Sequence, residues 1–409
     1  MNKRLIDRQL VGDFLVLLFF FISGNPAFTH GFMGKYVNIL MFLVILAVVH
    51  FKIPVKCWKE MLRWSFLLGM IFMCQFFLLG HITILGSANY VIKMMCAIML
   101  AFTLGDSARD SALRVMTVLC LISLFFYSFN LFGIRFPSLV DIQSKSQSLI
   151  IYTQTWDDET GSLFRNSGPF WEPGAFAGYI IIVLLLHIDQ VNELWNKHKY
   201  EVIVLFLTLL TTTSTTGYIV MMFLLVYNAV KLIDNKYLSV ACVALLLTIS
   251  VFAFVNFDFL GEKIQNEIFD IEIDNPLMLN YSRFGSIIFD AQYIASHPLF
   301  GNGLDFSTRY RFHDYIFTAE ELTGFGNGFT GSIASMGLLF MLAFIIGIYF
   351  NPTLKRKWGV ILSVILLLQG EYFLNYPLIM ILPFVDFGSE TVNAKHKFKF
   401  IWRKKEIEG

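Results

Sequence analysis

The chain has 409 residues, 56% of them hydrophobic and only 15% charged, with Lys+Arg 31 against Asp+Glu 30 and a formal net charge of +1. A soluble globular domain carries roughly 25% charged residues, so the composition excludes that class and points to a polytopic membrane protein. Near-neutrality also excludes a nucleic-acid partner, which calls for a strongly basic face.

At the start, Lys3, Arg4 and Arg8 precede an apolar stretch that looks like a signal peptide, but residues 24–27 make a poor cleavage site, so the stretch is predicted to stay as a first span. Windows apolar enough to cross a ~30 Å hydrocarbon core fall at 11–23, 36–51, 64–80, 90–105, 115–133, 174–188, 202–213, 217–233, 237–257, 329–350, 359–374 and 376–385. The expectation is therefore an all-α, single membrane domain over 1–409 with about twelve spans. Cys57, Cys74, Cys96, Cys120 and Cys242 lie in apolar runs or in segments assigned to the cytosol, and show neither a disulfide framework nor zinc spacing.

With the N-terminus inside, most of the 31 Lys and Arg gather in cytosolic segments, from Lys3 through Arg63, Arg114, Lys231 and Arg356 to a basic tail at 386–409. The positive-inside rule then makes both termini cytosolic. On this topology the only two long connections, 134–173 and 258–328, face outward. Structured loops on one side of a bundle are where specific chemistry is expected. No internal repeat of the transporter kind is visible.

The first long loop ends in R-N-S-G-P-F-W-E-P-G-A-F-A-G-Y from Arg165 to Tyr179, a charged, Pro- and Gly-rich stretch set against a span. Arg165 is a candidate for holding an anion through a guanidinium fork. Glu172, between Trp171 and Pro173, either serves as a base or orients an arginine. In the second loop Ser282 to His297 shows helical spacing of Phe284, Ile287, Ile288, Ala291, Ile294 and Ala295, which predicts an amphipathic helix on the bilayer surface. Arg283 opens it, where a cation gains nothing from the helix dipole and invites an anionic partner. Arg165 and Arg283 either snorkel to lipid phosphates or meet across a cleft.

Other polar groups are weaker candidates. Lys93, within a span, is read as snorkelling, and T-T-T-S-T-T-G from Thr211 as close helix packing. R-Y-R-F-H-D-Y places Arg311, His313 and Asp314 outside, where a sugar would meet them, with His313 also a candidate base. Asn327, where the long loop re-enters the membrane, suits ligand binding or helix capping. Glu371 and Asn375 lie near the outer end of a later span. There is no metal-ligand spacing, P-loop or nucleotide fingerprint.

Three pieces, R-N-S-G-P-F-W-E-P-G-A-F-A-G from Arg165, T-S-T-T-G ending at Gly217, and R-F-G-S-I-I-F-D-A-Q-Y-I-A-S-H-P-L-F-G-N-G-L from Arg283, together resemble the O-antigen polymerase (Wzy) and O-antigen ligase superfamily of bacterial envelope glycosyltransferases. The resemblance implies a GT-C-like enzyme of the bacterial inner membrane that works at the periplasmic face on undecaprenyl-pyrophosphate-linked oligosaccharides, both donor and acceptor, and needs no cofactor. Arg165 and Arg283 match the family's two arginines and Glu172 its acidic position, as catalytic residues beside His313. Trp171, Arg311, Asn327 and Glu371 are then expected to bind substrate, with membrane lipids and a chain-length regulator as further partners. Thr215 stands where the family commonly has an arginine, and Gly326 where ligases tend to carry a histidine, which favours a polymerase over a ligase. A ligase acting on lipid A core and a non-enzymatic flippase are the alternatives.

Overall fold

The computed structural model describes residues 3–29, 31–49, 53–105, 107–134, 136, 140–143, 146–155, 165–256, 283–312, 326–351 and 354–385. The tail at 386–409, most of the second long connection, and His313 and Asp314 lie outside the described residues. The helices are α1 (Lys3–Ile22), α2 (Pro26–Thr29), α3 (Gly31–Val48), α4 (Val55–Leu79), α5 (Ile84–Leu104), α6 (Ser107–Leu131), α7 (Pro173–Leu186), α8 (Val191–Thr211), α9 (Thr215–Leu232), α10 (Lys236–Asn256), α11 (Arg283–Ser296), α12 (Phe306–Arg309), α13 (Gly328–Tyr349) and α14 (Lys357–Leu368).

Five of these, α4, α5, α6, α9 and α13, are long and apolar enough to cross a membrane, and α7 with the following 188–211 makes a sixth if that pair, bent by 54°, is one span. The chain is thus a mostly helical, membrane-spanning protein. Twelve regular spans are not what the described residues form. The windows at 11–23 and 36–51 fall in shorter apolar helices, and the last, 376–385, contains only a 3-10 segment, Ile379–Phe384. That segment is fully buried. Pro383 prevents a regular helix there, and Asn351 Nδ2 donates to the carbonyls of Leu382, Pro383 and Val385 at 3.4, 3.2 and 3.2 Å. Irregular backbone at membrane depth survives only where protein encloses it in this way.

The all-α expectation also misses a small sheet in the first long connection, β1 (Val140–Gln143), β2 (Ser146–Ser148), β3 (Thr153–Thr155) and β4 (Arg165–Asn166), antiparallel in sequence order. Thr155 pairs with Arg165 and Gln154 with Asn166. Strands of two to four residues are too short for an alternation signal to emerge. Ile150, at a left-handed φ of 74° in the turn between β2 and β3, is held by its carbonyl, which accepts from Asn25 Nδ2. The same amide donates to Pro169 O at 2.8 Å, so the corner after α1 pins the sheet and the 168–172 turn together.

The predicted amphipathic helix forms as α11, and its other side packs against α13. Its buried side is Gly285, Ser286, Phe289, Asp290 and Tyr293, and Thr330 Oγ1 of α13 donates to Asp290 Oδ2 at 2.7 Å. The apolar residues Phe284, Ile287 and Ile288 point outward instead. Beyond α11 the chain braces a break in α13 at Gly337 (φ 80°, ψ 167°). Leu338 N and Leu339 N, freed by the break, donate to Pro298 O and Leu299 O at 2.8 and 3.2 Å. Ala334 O and Ser335 O accept from Asn302 N and Gly303 N at 2.8 and 3.0 Å, and Gln75 Nε2 of α4 adds a bond of 2.9 Å to Ser335 O. These exposed groups of the break thus find partners, as a buried backbone requires.

The helix ends sort into two layers. At one end Asp13 takes the Arg114 fork at 2.7 and 3.1 Å, and Asp189 accepts the amides of Lys355 and Arg356 at 2.8 and 2.9 Å. The other end carries the sheet, the end of α8, and the starts of α7, α9, α11 and α13.

Candidate functional site

Arg165 reaches its place through the hydroxyl-rich turn between α8 and α9. At the end of α8, Thr211 and Thr212 bond back to Thr208 O and Leu209 O at 2.7 Å each, and Ser214 Oγ accepts Gly217 N at 3.2 Å, which caps α9. Between them Thr213 adopts a left-handed φ of 46°. This geometry turns Thr212 O, Thr213 Oγ1 and Thr213 O toward Arg165, whose Nε and Nη2 donate to them at 3.3, 2.8 and 3.0 Å. Asn166 Nδ2 fixes the neighbouring position by donating to Thr211 Oγ1 at 2.9 Å and Ser123 Oγ at 3.2 Å. The turn read as helix packing does pack, with a Cβ at Gly217 falling 2.7 Å from Ala177 Cβ. Its larger role is to seat the arginine.

The guanidinium is half-buried, and burial lowers its pKa. Glu172 and Glu371 oppose that effect, while the positive charge of Arg283 adds to it. Glu172 at the start of α7, Arg283 at the start of α11 and Glu371 after α14 thus all act on the charge of Arg165 in β4.

Glu172 is the residue just before α7, and its Oε1 accepts Trp171 Nε1 at 2.8 Å. Trp171 stacks on Tyr376, ring centroids 4.6 Å apart and planes at 25°, and meets Tyr179 edge-on at 6.0 Å. Glu371 lies among three helix starts. A Cβ on Gly174 of α7 would fall 2.5 Å from its Oε1, a Cβ on Gly328 of α13 would collide with its carbonyl, and one on the adjacent Gly370 would fall 2.6 Å from Thr216 Oγ1 of α9. Helix N-termini favour negative charge, so the location suits a carboxylate and, beside it, an anionic ligand.

Of the other predicted residues, Asn327 is a helix cap. Its Oδ1 accepts Phe329 N and Thr330 N at 3.0 and 3.1 Å and its Nδ2 donates to Gln369 Oε1 at 2.7 Å, which commits both ends of the amide to holding α13 against the residue following α14. Arg311 lies apart, with Nη2 3.0 Å from His297 Nδ1 and its guanidinium 4.7 Å over the Phe312 ring. Burial, then Arg311, lower the His297 pKa, which suits the neutral imidazole this contact requires. Lys93 does not snorkel. Its Nζ donates to Asn375 O and Oδ1 at 2.7 and 3.2 Å.

One cluster has no motif in the sequence to announce it. Arg309 and Asp290, 1% and 3% exposed, form an ion pair beneath α11, with Arg309 Nε also donating to Ser335 Oγ at 3.2 Å and its guanidinium lying 4.8 and 4.7 Å over the rings of Tyr293 and Tyr310. The signal available was a lone aspartate on the polar side of an amphipathic helix. Its partner lies in the R-Y-R run, with no spacing rule to join them. The pair fastens α11, and so Arg283, to α13.

No protein-family model matches the chain, and neither a curated protein nor a solved structure matches it. Among the described residues no group of His, Cys, Asp and Glu could hold a metal ion.

Proposed function

We propose that the chain is a membrane glycosyltransferase that uses a lipid-pyrophosphate-linked glycan as donor, and more particularly a polymerase of undecaprenyl-pyrophosphate-linked repeat units, as in O-antigen or a related surface polysaccharide. It works at the periplasmic face of a bacterial inner membrane with both termini in the cytosol. The observation that supports this reading is Arg165, seated by the threonine turn and acted on from three separate segments by Glu172, Arg283 and Glu371, the last lying among helix starts. The three-piece sequence resemblance supplies the substrate class.

In the transfer, a sugar hydroxyl of the acceptor unit attacks the anomeric carbon of the donor glycan. The bond from that carbon to the pyrophosphate oxygen breaks, and negative charge collects on the departing lipid pyrophosphate. Arg165 and Arg283 stabilise that charge in a site of low dielectric, most strongly at the transition state. The acceptor proton passes to a carboxylate. Glu172 and Glu371 are the described candidates, and Trp171 holds the first of them. No step calls for a metal or a cofactor.

Purified protein in nanodiscs, given lipid-linked repeats alone, is expected to build a ladder of products, and Arg283→Ala is expected to abolish it while inserting normally. Product that forms only when lipid A core is added would make the chain a ligase. Movement of substrate across the bilayer without any change in glycan length would make it a flippase.

A further inference from the structure

Lys93 is the one charged residue of α5, nine residues beyond its start, or about 14 Å along the axis at 1.5 Å per residue. A cation at that depth is costly in a membrane, and a methionine of similar reach would carry no such cost. The lysine is therefore expected to make a contact that only a strong donor can make. It collects both oxygens of Asn375, the backbone carbonyl at 2.7 Å and the side-chain carbonyl at 3.2 Å. One turn earlier on the same helix, Tyr90 Oη donates to Leu374 O at 2.8 Å. The 3-10 turn Phe373–Asn375 is thereby fastened to α5 at two successive carbonyls.

The next residue after that turn joins it to the site. Tyr376, whose ring centroid is 5.8 Å from Lys93 Nζ, stacks on Trp171. Trp171 in turn donates to the Glu172 carboxylate. Both Glu172 and Glu371 lie near enough to Tyr376 to act on its hydroxyl. We propose that Lys93 is a positioning residue for the transfer site. It fixes the backbone at 375–376 so that Tyr376 presents its face to Trp171, and Trp171 holds Glu172 beside Arg165. Lys93 itself does not touch substrate. The kinetic consequence rests on the glycosyltransferase reading, whereas the mechanical relay from α5 to Glu172 does not.

The test is hydrogen exchange of the full chain in nanodiscs, wild type against Lys93→Met. Exchange is expected to rise about 5-fold or more both in peptides covering 373–377 and in peptides covering 169–173, with α6 unchanged. A rise confined to 373–377, or none, would overturn the relay. Asn375→Ala is the second variant, which keeps the backbone acceptor at 2.7 Å and loses only the longer contact. It is expected to raise exchange in both regions by less than Lys93→Met, and an effect in neither region would overturn the relay. Where wild type makes polymer, Lys93→Met is expected to lower kcat about 10-fold with KM changed less than about 2-fold. Added to Trp171→Phe, it should lower kcat no further, because both act on the same carboxylate. Full additivity would count against the proposal. If wild type makes no polymer, the functional reading fails, and the exchange data still decide what Lys93 does.

Discussion

Arg165 owes its position to three oxygens of a threonine turn, and one of those threonines is strained. A β-branched residue at a φ of 46° costs about 1–2 kcal/mol, and Thr213→Gly would relieve it. The glycine would add unfolded-state freedom worth about 0.5–1 kcal/mol and would remove the hydroxyl that Arg165 Nε reaches at 2.8 Å. These stability effects nearly cancel, so thermal unfolding in detergent should move by only a few degrees while polymer formation falls about 10-fold or more, the scale of one lost charge-assisted bond. A variant that unfolds earlier yet keeps full activity per folded molecule would make the turn merely structural. Arg165, Glu172 and Trp171 were legible because charge beside Pro and Gly at a span is conspicuous. The threonine acceptors were not, because hydroxyl runs between apolar windows read the same whether they pack helices or seat a guanidinium.

At the level of elements, the break in α13 and the 298–303 brace behave as one unit. Gly337 is left-handed, and a Cβ there would collide with the carbonyls of Leu299 and Phe300. Gly337→Ala should cost about 2–4 kcal/mol, from backbone strain together with displacement of the brace. The unfolding midpoint in detergent should fall clearly, and an unchanged midpoint would mean that the brace does not hold the break. Periodicity located α11 to within a residue and marked its apolar stripe correctly. The stripe faces away from the protein, and periodicity could not show what the opposite side would meet, because that depends on what the partner offers. Here α13 offers Thr330 and Ser335 to Asp290 and Arg309, so Asp290 turns inward together with Phe289 and Tyr293.

For the whole molecule, hydropathy made membrane-spanning character legible, while basic-residue placement supplied the expectation of which side each end faces. Regular span counts failed at 376–385 because an apolar window records composition and not backbone regularity. The proposed sidedness is testable by thiol labelling. Cys57, Cys96 and Cys120 are buried, so replacing Cys74 and Cys242 leaves a quiet background. In that background Phe132→Cys, at an 83% exposed position on the sheet end, should react with a membrane-impermeant reagent from the periplasm. Lys197→Cys, at the opposite end, should react only after the cells are opened. The reverse pattern would place Arg165 in the cytosol.

The buried stretch from Phe373 to Val385 also bears on how the protein is made. It is too irregular to partition into lipid by itself, since its backbone groups depend on neighbours such as Tyr90, Lys93 and Asn351 for their bonds. Those neighbours all precede it in the chain. The residues that satisfy this stretch are therefore already made when it emerges, and it can take its place among them. The proposed transfer site, which draws on Glu371 and Tyr376, would then be completed only after the rest of its described residues are in the membrane, so a chain cut off before residue 371 would already be anchored and still be expected to be catalytically silent.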